Sequence, residues 1–245
     1  MRNIKLILEY DGTHFFGFQI QKSRRTVQSE LESALKKLFQ KKIKVIASGR
    51  TDSGVHAEGQ VVNFHISSHL PLPKIQQGLN HYLPVDLAVV GIWEVASKFH
   101  SQYSAKWKTY EYRILNSKAR SPLERFRAVQ VPYSLDLTQM KQAARLLRGK
   151  HNFRAFESSG GRRKSAVRTI RKFQIQKQGK LISFTVEGNG FLYKMVRSMV
   201  GTLLEVGRGR LSLSGFKQIL ASQVRHLVGP TVPSRGLILK QVKHS

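Results

Sequence analysis

Chemistry-capable side chains crowd most densely in the stretch Ser48-Gly49-Arg50-Thr51-Asp52-Ser53-Gly54-Val55-His56-Ala57. An aspartate in such a setting can serve as a nucleophile or as a base, and either role needs an ionised carboxylate. Arg50 stands close to Asp52 in the chain, and an arginine beside a carboxylate keeps it charged and oriented. Gly49 and Gly54 remove side chains where a bulky substrate would meet the main chain. Acidic residues are scarce, 14 Asp and Glu against 42 Lys and Arg, so a carboxylate flanked by glycines on a polar loop stands out. Asp, Ser and Gly also favour turns on their own account. Taken alone, the loop is open to both readings, a site or a plain connector between strands.

The elements that would hold this loop can be read on either side of it. Ile4, Leu6, Leu8 and Tyr10 alternate with polar positions and predict a half-buried strand, broken by Asp11-Gly12-Thr13. Val27, Leu31, Ala34, Leu35 and Leu38 recur at helical spacing from about Thr26 to Phe39. Strands are expected over Ile43–Ser48 and Val61–Ile66, a helix after Pro73 ending near Leu83-Pro84, and a strand over Leu87–Val95. The order β-α-β-β-α-β suits a split-βαβ sheet with helices on one face. The second half repeats the theme loosely. It has an alternating strand over Lys106–Leu115 with Tyr110, Tyr112 and Ile114 on one face, and a helix to about Leu147 opened by an Asp136/Gln139 capping box. A hairpin of Val167–Gln176 and Leu181–Glu187 follows, then a helix from Phe191 to about Glu205, a shorter helix after Ser214, and a closing strand over Gly236–Val242. The fold class expected is α/β (α+β): two related RRM-like, split-βαβ halves, residues 1–100 and 101–245, with mainly antiparallel sheets. The basic loop Gly160-Gly161-Arg162-Arg163-Lys164 is the segment expected to be mobile.

Charge narrows the class of partner. The chain of 245 residues carries a formal +28, which repels itself unless it meets a polyanion such as a phosphate backbone. Arg24-Arg25, the Lys36–Lys44 group, Arg162-Arg163-Lys164 and Arg168 are available to follow RNA, or equally to form solvated faces. There is no cysteine, which excludes disulfides, thiolate metal sites and cysteine nucleophiles. His65 and His69 fall at i,i+4 without the acidic partner of a zinc motif, and no glycine-rich nucleotide turn is present, so no cofactor or metal is expected. No apolar run approaches the roughly 20 residues that span a bilayer. Met1 to Lys5 leads directly into the alternating pattern rather than an apolar signal segment. A cytoplasmic location with no membrane association is the expectation.

Gly49-Arg50-Thr51-Asp52-Ser53-Gly54-Val55-His56-Ala57 resembles the catalytic signature of the TruA-type tRNA pseudouridine synthases. Other segments fall where that family would place them. Tyr10-Asp11-Gly12-Thr13 with Phe16-Gly17-Phe18-Gln19 is similar to its N-terminal motif, and Lys108-Thr109-Tyr110-Glu111-Tyr112 to its tyrosine-bearing strand. Phe191-Leu192-Tyr193-Lys194-Met195-Val196-Arg197 is similar to its arginine-bearing helix, and Gly229–Leu237 to its C-terminal loop. Phe18 stands where tryptophan is usual and Val232 where alanine is usual. Both are apolar exchanges away from Asp52.

The resemblance implies a pseudouridine synthase fold and isomerisation of uridine to pseudouridine at positions 38 to 40 of the tRNA anticodon stem-loop. Asp52 would be the nucleophile, or the base that begins a glycal-type elimination. Arg197 would reach Asp52 across the fold, Tyr110 would stack on the target uracil, and Arg50 would brace the flipped nucleotide. It also implies a homodimer. By pattern alone, Arg197 lies opposite the apolar stripe Leu192, Met195, Val196, Met199 and Leu203, on the side of Gly190 and Gly201, where space is left for a strand or substrate. The rival reading is a non-catalytic RNA-binding protein stacking bases on Trp107, Tyr110 and Tyr112 of an RRM-like sheet. Asp52 separates the two, since a pure binder gains nothing from a carboxylate facing phosphates. A methyltransferase would need a donor pocket that the sequence does not offer.

Overall fold

Alternation at the N-terminus becomes a real strand. In β1 (Arg2–Tyr10) Ile4, Leu6, Leu8 and Tyr10 are all buried. The computed structural model describes residues 1–160 and 165–244. It divides into two units, Met1–Lys106 with Ile238–Ser245, and Trp107–Leu237. Sequence alone parts the chain near residue 100 and leaves the last strand with the second half, whereas contacts group that strand with the first unit.

The first unit continues with α1 (Val27–Phe39), β2 (Ile46–Ala47), β3 (His56–Ile66), α2 (Leu72–Tyr82) and β4 (Leu87–Val95). Thr26 caps α1: its side chain accepts from the Ser29 amide while Ser29 reaches back to the Thr26 amide. Val27, Leu31, Ala34 and Leu35 form the buried face expected from their spacing. β1 lies antiparallel between β4 and β3, with Tyr10 opposite Leu87 on one side and Ala57 on the other. The segment over Ile43–Ser48 is less regular than expected, because only Ile46–Ala47 pairs, with Asn63 and Val62. β3 in turn begins five residues earlier than its apolar run, at His56, directly after the Asp52 loop. Its early part is held by the closing strand β10 (Leu237–His244), which runs parallel to it with Ile238 opposite His56 and Leu239 opposite Ala57.

The second unit contains β5 (Ala105–Asn116), β6 (Val129–Val131), α3 (Leu137–Leu146), β7 (Gly149–Asn152), β8 (Val167–Gln178), β9 (Leu181–Gly188), α4 (Met195–Gly207) and α5 (Leu213–Ser222). β5, β9, β8 and β7 form antiparallel neighbours in that order. Tyr110 sits opposite Val186. The expected hairpin turns at Gly179 in the left-handed region, φ 57°. Two helix starts differ from expectation. Asp136 accepts from the Thr138 and Gln139 amides, but its own amide goes to the Gly207 carbonyl, so the capping box is only half formed. The helix read from Phe191 begins at Met195, because Lys194 is left-handed at φ 56° and the preceding residues form a turn. Apart from Gly160, the basic loop Gly160–Lys164 lies outside the described residues. No helix among the described residues is long and apolar enough to cross a membrane.

Candidate active site

Asp52 occupies the turn between β2 and β3, and the Asp11–Phe18 segment after β1 holds that turn from below. The Phe18 amide donates to the Thr51 carbonyl at 3.0 Å, and the Gly54 amide to the Phe15 carbonyl at 3.2 Å. Within the turn the Val55 amide donates to the Asp52 carbonyl at 3.2 Å. The approach is close enough to demand glycine. A Cβ on Gly12 would lie 2.0 Å from the Val55 carbonyl oxygen. Gly17, at φ 87°, would bring a Cβ within 2.8 Å of the Thr51 carbonyl oxygen. Thr51 and Val55 are buried, while Asp52 between them is half-buried. The loop thus sets a half-buried carboxylate between two buried residues.

His56 ends the loop with its ring buried, its Nδ1 accepting from the Gly12 amide at 3.0 Å and lying 3.1 Å from Asp11 Oδ1. Arg50 does not steady Asp52 as its position in the sequence suggested. Its side chain is exposed and makes no ion pair among the described residues. Arg25, counted above among cations available to RNA, is engaged instead. It forms a two-pronged pair with Asp86 at 2.7 and 2.8 Å and lies over the Phe15 ring at 4.2 Å. The Asp86 carboxyl is held below its ordinary pKa, first by that hydrogen bond.

Tyr110 and Arg197 are placed by the second unit. Tyr110 is half-buried on β5 and meets Phe191 edge-on, with centroids 5.2 Å apart and planes at 89°. The edge-to-face contact braces the Tyr110 ring. Phe191, to which pattern reading gave no role of its own, is the ring that meets Tyr110, and its place just ahead of an amphipathic helix was the available signal. Arg197 Nε donates to the Val232 carbonyl at 2.7 Å, anchoring the guanidinium to the Gly229–Leu237 loop. The space that Gly201 leaves beside it is filled by neither strand nor substrate: a Cβ there would meet the Pro230 carbonyl oxygen at 1.7 Å. Tyr112 donates its hydroxyl to the Pro233 carbonyl at 2.8 Å. Burial pushes its pKa up, against the pull of Arg197 and Arg235. At 0% exposure Tyr112 cannot present a face to a base, which weakens the stacking-platform alternative. Trp107, the third aromatic of that alternative, lies under the Arg171 guanidinium at 4.7 Å.

A family model described as tRNA pseudouridine synthase matches residues 6–104 and 143–245. The chain belongs to the tRNA pseudouridine synthase family. Curated relatives agree over nearly the full length. The chain is 45% identical to the tRNA pseudouridine synthase A of Acetivibrio thermocellus, covering 99% of both chains. It is 43% identical to tRNA pseudouridine synthase A 2 of Clostridium perfringens, again covering 99% of both. It is 44% identical to the tRNA pseudouridine synthase A of Myxococcus xanthus, covering 99% of this chain and 92% of that one.

Proposed function

We propose that this chain isomerises uridine to pseudouridine in tRNA, at positions 38 to 40 of the anticodon stem-loop. Asp52 starts the reaction at the ribose, by attack on C1′ or by removing the C2′ proton. The bond from C1′ to N1 breaks, the uracil turns, and C1′ joins C5 as the Asp52 ester is displaced or as the C2′ proton returns from Asp52. The C5 proton leaves and N1 gains one, so the product is an isomer and no external donor or oxidant is consumed. The observation that carries this reading is the placement of Asp52, half-buried between buried Thr51 and Val55 on a loop hydrogen-bonded to the Asp11–Phe18 segment.

Tyr110 stacks on the target uracil, with Phe191 fixing its plane. Arg197 supplies positive charge that favours an ionised carboxylate. Arg50, exposed at the rim of the loop, braces the nucleotide once it has left the helix. Extrusion costs a few kcal/mol of unstacking, which contacts of this kind offset. The basic surface binds the RNA backbone. The protein acts as a cytoplasmic homodimer, which sedimentation equilibrium checks directly.

The test is release of tritium from tRNA carrying 5-tritiated uridine, with wild type beside Asp52→Ala. The expected outcome is release by wild type and none by Asp52→Ala, with tRNA affinity retained. Tight binding without release by wild type would leave the chain an RNA-binding protein only. Parallel loss of binding and release in the variant would remove Asp52 from the chemistry.

A further inference from the structure

Beneath the Asp52 loop lies a buried polar network for which neither packing nor the reaction as outlined gives a role. The Tyr10 hydroxyl and Thr51 Oγ1 are 2.8 Å apart, both buried. The Gln60 side chain approaches the same hydroxyl. Gln60 Nε2 also donates to the Gly49 carbonyl at 2.8 Å, and its Oε1 accepts from Ser48 Oγ at 2.7 Å. Tyr10 is 3% exposed, Thr51 6%, Gln60 0% and Ser48 1%. The network therefore grips the loop at Gly49 and at Thr51, the residue that precedes Asp52. The register between β1 and β3 also shifts between Leu8 and Tyr10. Irregularities of this kind next to reactive loops re-aim side chains.

We propose that Tyr10 is a positioning residue for Asp52, acting through Thr51. The Thr51 carbonyl is held by the Phe18 amide and its hydroxyl by Tyr10, so both sides of this residue are pinned. Rotation about its backbone, which would swing the Asp52 carboxylate, is thereby restricted. A purely structural role predicts something different. Replacing both partners of a buried hydrogen bond with apolar groups of the same shape is close to neutral for stability, so Phe and Val would serve a core as well as Tyr and Thr. Orientation is what the hydroxyl pair adds. Misplacing a reacting group by about 1 Å costs on the order of a hundredfold in rate.

The inference rests on Asp52 being the reactive carboxylate, so Asp52→Ala is run beside the positioning variants. Tyr10→Phe and Thr51→Val are assayed by tritium release under saturating tRNA, with KM and thermal midpoint measured on the same preparations. The expected result is a fall in kcat of about tenfold to a hundredfold in each, with KM within about twofold; the midpoint drops by a few degrees in each single variant, which strands a buried partner, and is largely restored in the double. In kcat the double variant falls no further than either single, and Thr51→Ser, which keeps the oxygen, recovers most of the rate. Wild-type kcat in Tyr10→Phe and Thr51→Val, with Asp52→Ala inactive, would overturn the positioning role alone. An equal fall in kcat and tRNA affinity would overturn it too. Activity in Asp52→Ala would instead overturn the reading beneath it. Should Tyr10→Phe fail to fold, the contrast between Thr51→Val and Thr51→Ser decides.

Discussion

Arg197 is tied to the chain before it meets any substrate. Its Nε donates to the Val232 carbonyl at 2.7 Å, and a planar guanidinium held there can serve a further partner from the same fixed frame. A lysine offers a single point charge and cannot hold a carbonyl and serve a second partner in the same fixed geometry. Arg197→Lys is therefore expected to lose roughly tenfold to a hundredfold in kcat, the worth of one charge-assisted hydrogen bond, in single-turnover tritium release. Tyr10 yields a prediction in pH. Burial raises its pKa to about 12, against the lowering effect of Thr51 and Gln60. The neutral phenol is favoured in the folded state, so the contribution is complete below the unfolded value near 10 and is lost as pH climbs through about 12. Urea midpoints measured from pH 9 to 12 should fall for wild type and fall less for Tyr10→Phe.

Gly201 shows what a single missing Cβ does at the scale of an element. α4 is buried almost all round, and the Gly229–Leu237 loop crosses it at Gly201 with the Pro230 oxygen where a methyl group would lie. The same loop carries the Val232 carbonyl that anchors Arg197. Gly201→Ala must push the loop away or bend the helix, and overpacking of this kind costs about 1–3 kcal/mol. For a chain of this length that is a drop of several degrees in thermal midpoint, at roughly 2–4 °C per kcal/mol. Because the loop holds Arg197, kcat should decline together with stability. A variant with wild-type midpoint and kcat would show that the loop relaxes at no cost.

The whole molecule carries +28, and cations are spread over elements rather than confined to one motif. Lys36, Lys37, Lys41, Lys42 and Lys44 are exposed on and after α1, whereas Arg25 is turned to structural use by Asp86. Release of counterions by such a surface makes the logarithm of affinity fall linearly with the logarithm of salt. Raising salt from 50 to 200 mM should weaken tRNA binding by at least about tenfold, and several phosphate contacts acting together would give more. Filter binding across that range measures the slope. The Lys41→Glu/Lys42→Glu pair should make it shallower while leaving kcat at saturation unchanged. A flat titration would remove the basic surface from tRNA binding.

Legibility in the sequence followed the range of the forces involved. Period-two and period-3.6 patterns report burial of near neighbours, so β1, α1, β4 and the β8–β9 hairpin were readable within a residue or two. Asp52 and its glycines were readable because turn chemistry is local. Strand pairing between distant segments leaves no such trace. The parallel pairing of β10 with β3 and the grip of Tyr10 on Thr51 across 41 residues of chain depend on partners that no window contains. Lys194 misled the reading of α4 because a left-handed lysine carries no compositional mark. Arg25 and Arg50 were indistinguishable as charges, and only packing turned one to a carboxylate and left the other exposed. The sequence by itself determined the principal strands and helices, the candidate reactive loop and a net charge suited to a polyanion. The tertiary structure alone decided how the reactive loop is held, because hydrogen bonds between distant strands form only once those strands have met.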